Sequence, residues 1–129
     1  MKHLFTLLAL TISFSMNAQV QHSGTNNSGG VASALGSETT ASGDVSTAMG
    51  ISTTASGNFS TAMGYDTTAS GFLSTAMGEI TTASGVVSTA MGVNTTASGY
   101  YSTAMGNGTT AGDFGSLVIG QYNLLGSTV

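Results

Sequence analysis

Glycine recurs at every seventh position from Gly36 to Gly106, eleven times without a break, and the residues between alternate between two near-fixed phrases. TTASG begins at Thr39, Thr53, Thr67, Thr81 and Thr95, and STAMG begins at Ser46, Ser60, Ser74, Ser88 and Ser102. The unit is therefore fourteen residues long, TTASGxxSTAMGxx. A period this short and regular confines the chain to a stacked, one-dimensional architecture in which each repeat touches only its neighbours.

Aligning the chain with itself shows what each position tolerates. One column reads Leu35, Met49, Met63, Met77, Met91, Met105, Ile119, all mid-sized and apolar, and is expected to point into a core. Two residues upstream lies Thr47, and two further upstream the column reads Val31, Val45, Phe59, Leu73, Val87, Tyr101, Gly115. Apolar or β-branched residues at alternate positions predict a strand with one committed face. The other face carries Ser46, Ala48 and their equivalents, small enough for another backbone or chain to approach closely. TTASG predicts a second short strand, with Thr40 and Ser42 on one side and Thr39 and Ala41 on the other. The columns leave open which face meets the interior and which meets a neighbouring chain. The two-residue variable slots follow the glycines and are expected at bends, where glycine accepts positive φ.

A heptad coiled coil is the competing explanation of a seven-residue glycine period. It needs good helix formers between its apolar seams. Here every heptad holds a glycine, costing about 1 kcal/mol relative to Ala, together with Ser and Thr that favour non-helical backbone. Disorder is the other competitor, given so much Gly, Ser and Thr. Yet hydrophobic residues make up 40% of the chain, and they fall in strict columns. One Met and one Val or Phe per coil return less than the entropy of ordering fourteen backbones, so association of chains along the stack is expected to supply the remainder.

Residues 1–18 read as a secretion signal: Lys2 precedes the apolar run Leu4 to Phe14, and Met16-Asn17-Ala18 is a cleavage site before Gln19. The run is short for a membrane span and is followed by polar residues, so no direct membrane insertion by this chain is expected. With no cysteine, neither a disulfide framework nor lipoprotein attachment is available. Beyond residue 18 the chain has no Lys or Arg, and its only carboxylate side chains are Glu38, Asp44, Asp66, Glu79 and Asp113. Nucleic acid and anionic lipid both require cationic side chains. Neither is expected as a partner.

The repeats Ser46-Thr47-Ala48-Met49-Gly50 and Ala41-Ser42-Gly43, with their copies, resemble the head repeats of trimeric autotransporter adhesins, the YadA-like head. The resemblance covers about Val31 to Gly120. It implies an all-β fold, a left-handed parallel β-roll of about seven fourteen-residue coils, with three chains packed side by side as a homotrimer. The organisation it suggests is a signal peptide at 1–18, a polar lead-in at 19–30, head repeats at 31–120 and a short continuation at 121–129. Departures are Thr at position 47, where the family has a β-branched aliphatic, and Met at 49, where it has Ile or Leu. The last coil is irregular, with Gly112 and Asp113 in place of Ser-Gly and a more apolar Leu117-Val118-Ile119-Gly120. The family's neck, heptad stalk and membrane-anchoring strands have no counterpart in this sequence.

Candidate chemistry is sparse. His22 is the one histidine beyond residue 18 and lies in a polar segment, and the repeat serines have no base beside them, so no catalytic residue is assigned. Five scattered carboxylates form neither a calcium-type cluster nor an acid/base pair by spacing, so no metal or cofactor is expected. Asn26, Asn58, Asn94 and Asn107 begin N-x-S/T sequons that Ser/Thr-rich repeats generate by chance. The candidate contact surface lies in the variable slots: Ile51, Tyr65, Phe72, Val93 and Tyr100. The plainer alternative is that several of these pack between subunits. The expected function is a non-catalytic, secreted or cell-surface adhesin-like head, its partners a host matrix, a cell surface or an abiotic surface. The alternatives are an ice-binding solenoid using Thr/Ser columns and a passive fibre or spacer segment.

Overall fold

In the computed structural model, which describes residues 24–123, fourteen strands and no helix form two parallel seven-stranded sheets. The long strands are β2 (Ser33–Ser37), β4 (Thr47–Ile51), β6 (Thr61–Tyr65), β8 (Thr75–Glu79), β10 (Thr89–Val93), β12 (Thr103–Asn107) and β14 (Leu117–Gln121). The short ones are β1 (Asn26–Asn27), β3 (Thr40–Ala41), β5 (Thr54–Ala55), β7 (Thr68–Ala69), β9 (Thr82–Ala83), β11 (Thr96–Ala97) and β13 (Thr110–Ala111). Each coil gives one strand to each sheet, so the chain winds as a β-solenoid of about seven turns. Register follows the repeat: Thr47 pairs with Thr61, Met49 with Met63 and Gly50 with Gly64. The first rung, Asn26–Asn27, pairs with Thr40–Ala41 inside the stretch read as a polar lead-in. The segment read as a secretion signal lies outside the described residues, as does His22.

The interior corrects the expectation placed on the methionine column. Ala48, Ala62, Ala76, Ala90 and Ala104 of the long strands and Ala41, Ala55, Ala69, Ala83, Ala97 and Ala111 of the short strands are fully buried. Between them lie the equally buried Thr39 and Ser46 columns. Leu35, Met49 and Ile119 are exposed, and Met63, Met77, Met91 and Met105 are half-buried. The reason is geometric. Side chains alternate across a strand, and two sheets closed by a fourteen-residue coil approach too closely for anything larger than Ala, Ser or Thr. The small residues mark the inside of the roll, and the larger apolar ladder is turned outward.

The glycines answer to close approach. A Cβ on Gly43, Gly57, Gly71 or Gly85 would overlap the carbonyl oxygen of the glycine one coil on, although their backbone needs no positive φ. The STAMG glycines combine the same clash with φ near 130°, as at Gly50 and Gly64. Gly29 obeys the same rule against Gly43, extending the series by one step.

The left-handed backbone falls elsewhere than expected. It sits two residues after each glycine, at Glu38, Val45, Ser52, Phe59, Asp66, Leu73, Ile80, Val87, Asn94, Tyr101 and Tyr122, with φ of 52–58°, and at Gly108 and Gly115. Left-handed backbone costs roughly 1–2 kcal/mol for an L-residue, and it is most unusual for β-branched Val45, Ile80 and Val87. From Ser52 onward each of these residues is held by a hydrogen bond to the coil before. Phe59 N–H donates to Asp44 C=O at 2.8 Å, Ile80 to Tyr65 at 2.9 Å and Val87 to Phe72 at 2.8 Å. Val45, Phe59, Leu73, Val87 and Tyr101 are therefore exposed corner residues, not members of a buried strand face.

Candidate functional surface

Four outward surfaces follow from this cross-section. The outer face of the long sheet carries the Thr47 column beside the methionine ladder, seven mid-sized apolar residues stacked in register from Leu35 to Ile119. The outer face of the short sheet carries Thr40, Thr54, Thr68, Thr82, Thr96 and Thr110, all half-buried, with the exposed Ser42, Ser56, Ser70, Ser84 and Ser98 just beyond the strands. Two corners join the sheets, one leading into each long strand and one leading out.

The five candidate contact residues are all exposed, from 40% for Val93 to 57% for Tyr100, but they do not share one surface. Ile51, Tyr65 and Val93 occupy a single register column at the end of the long strands, with Ser37, Glu79 and Asn107. Phe72 and Tyr100 lie on the opposite corner, leading into the long strands. There they are joined by residues that column reading had assigned to a buried face. Phe59 and Phe72 meet edge to face with ring centroids 5.8 Å apart, and Tyr101 and Phe114 do so at 5.5 Å. The pointer that was available is the tolerance of that column, which accepts Tyr101 and Gly115 alike. A packed interior position does not.

Charge is just as unevenly placed. Glu38, Asp66 and Glu79 fall on the outgoing corner, where Ser52 Oγ donates to Glu38 Oε2 at 3.1 Å. On the incoming corner the first coils form a side-chain ladder: Gly30 N–H donates to Asp44 Oδ1 at 2.9 Å, and Asp44 N–H to Asn58 Oδ1 at 3.1 Å. From Phe72 onward apolar side chains replace that ladder. Among the described residues no three His, Cys, Asp or Glu come together as a metal site.

The fourteen-residue parallel solenoid agrees with a comparison against protein-family models. The model of the YadA head domain repeat (2 copies) matches residues 41–67, 69–86 and 83–109, more than half of the chain. The chain belongs to this family. It is a YadA-like head module, adhesin-like in kind, from a family of bacterial cell-surface proteins that form trimers and whose head is a structural rather than a catalytic domain. No curated protein matches the chain.

Proposed function

We propose that this chain is the head of a non-catalytic, secreted or cell-surface adhesin, a rigid homotrimer that holds variable corner side chains where they meet a matrix, a cell or an abiotic surface. The observation that carries this reading is the outward methionine ladder. Seven apolar residues in continuous register, on the face turned away from the interior, form a strip whose burial requires another body. Three copies of the same strip meeting about one axis would bury it, and the Thr47 column beside it is small enough to let the sheets approach. The interior of methyls and hydroxyls is thin, which gives the chain reason to gain burial from its neighbours.

Native mass spectrometry of the secreted chain tests this directly. A mass of three chains is expected, and a folded monomer at micromolar concentration would refute the trimeric head. Ice binding has one feature in its favour, the Thr40 and Ser42 columns on the outer side of the short sheet. Thermal hysteresis in the purified protein would support it, and ordinary freezing would dismiss it.

A further inference from the structure

The corner leading into the long strands becomes an apolar ridge from Phe59 onward. Its aromatic members are Phe59, Phe72, Tyr100, Tyr101 and Phe114, with fractional exposures between 45% and 78%. Leu73, Val86 and Val87 join the two edge-to-face ring pairs into one track. No carboxylate lies on this corner between Asp44 and Asp113, whereas the opposite corner carries three.

We propose that this ridge binds an uncharged, extended β-linked polysaccharide. Size argues first. Successive coils are ~4.8 Å apart, so the ridge is roughly 20 Å long and two residues wide. That is on the order of 200 Å², far below the ~800 Å² per partner of a stable protein–protein contact. A linear polymer needs only a track. Charge argues next. Outside the segment read as a secretion signal the chain has no Lys or Arg, so a sulfated or carboxylated glycan would find no cation to neutralise it, whereas a neutral one needs none. Chemistry argues last. Aromatic faces carry negative quadrupole density that attracts the polarised C–H groups on the flat side of a pyranose. The phenolic hydroxyls of Tyr100 and Tyr101 both donate and accept hydrogen bonds, as sugar hydroxyls require.

This inference deepens the adhesin reading and rests on it for avidity, since three ridges on one trimer would engage a polymer together. The test is affinity electrophoresis of the secreted chain in gels containing hydroxyethylcellulose, a neutral β-glucan, against carboxymethylcellulose, the same backbone made anionic. Native mass spectra are recorded in parallel. Retardation in the neutral gel is expected, with much less in the anionic one. The double variant Phe72→Ala/Tyr100→Ala should weaken retardation at least tenfold, while Tyr65→Ala/Val93→Ala on the other corner should leave it unchanged. Absence of retardation in the neutral gel, or equal loss in both double variants, overturns the proposal. So does a changed subunit number in Phe72→Ala/Tyr100→Ala without any retardation of the parent, which would make the ridge a subunit seam. A trimer that ignores the glucan sinks the ridge alone, whereas a retarded monomer sinks the trimeric head alone.

Discussion

Gly64 lies so close to Gly78 of the following coil that a Cβ on it would overlap the Gly78 carbonyl oxygen. Because the partner atom is backbone in a regular ladder, it cannot yield without parting two coils. Three glycines separate the causes. Gly64→Ala meets both the clash and an unfavourable φ, Gly57→Ala meets the clash alone, and Gly115→Ala meets only the left-handed φ, with nothing within 4 Å. The first two should destabilise by roughly 3 kcal/mol or more, in the range reserved for overpacking. Gly115→Ala should cost about 1 kcal/mol. Urea titration followed by circular dichroism measures all three, and no loss at Gly57→Ala, with Gly64→Ala costing no more than Gly115→Ala, would mean that φ rather than contact selects glycine.

Ile80 and Asn94 occupy the same corner one coil apart, with φ of 53° and 52°. Asparagine tolerates the left-handed region far better than a β-branched residue does. Ile80→Asn should therefore raise stability by about 1 kcal/mol, or roughly 4–8 °C in midpoint for a domain of this size. A lowered midpoint would show that the packing of the half-exposed Ile80 side chain outweighs its φ cost, and a native mass falling from three chains to one would place this corner at the subunit contact.

Much of this architecture was legible in the repeat. The fourteen-residue period fixes the register, and the columns identify strands, corners and the alternation of faces. What they could not decide was polarity of the cross-section. Met77 and Ala76 both sit in clean ladders, and ordinary hydrophobicity favours Met77 for the inside. Interior width decides the matter instead, and width depends on how tightly a coil closes, which is a property of Gly71, Leu73 and their neighbours acting together. The corner residues were hidden for a related reason. Leu73 and Val87 fall two residues before a strand and imitate its alternation, while their positive φ has no counterpart in side-chain chemistry. Phe72 and Tyr100 follow TTASG whereas Tyr65 and Val93 follow STAMG, so the repeat already separates the two sets, and the fold shows that the separation is one of opposite corners.

The lumen holds a second oddity. Ser102 Oγ donates to Gly99 C=O at 2.7 Å, but the buried hydroxyls of Thr39, Thr53, Thr67, Thr81, Thr95 and Thr109 have no partner among the described residues. A buried hydroxyl without a partner costs about 1–3 kcal/mol. Thr67→Val keeps the shape and removes the polar atom, so it should leave stability unchanged or increase it by about 1 kcal/mol. The midpoint of thermal unfolding reads this out. A loss above about 1 kcal/mol would instead mean that Thr67 is satisfied in solution, for instance by internal water.

The outward ladder yields the sharpest outcome. Met77 sits at its centre, half-buried in the single chain, with Met63 and Met91 as its register partners on either side. In a lone solenoid Met77→Asp exchanges one partly wet side chain for another and should change stability by less than about 1 kcal/mol. In a trimer the same change puts three carboxylates against an apolar seam, where each needs a partner or a proton. The expected result is a folded β-rich chain, unaltered by circular dichroism, whose native mass falls from three chains to one. Met77→Leu should retain the trimer, because it keeps volume and polarity. If Met77→Asp remained trimeric, the long-sheet face would not be the seam, and the subunits would have to meet through a corner or through the Thr40 and Ser42 side of the roll.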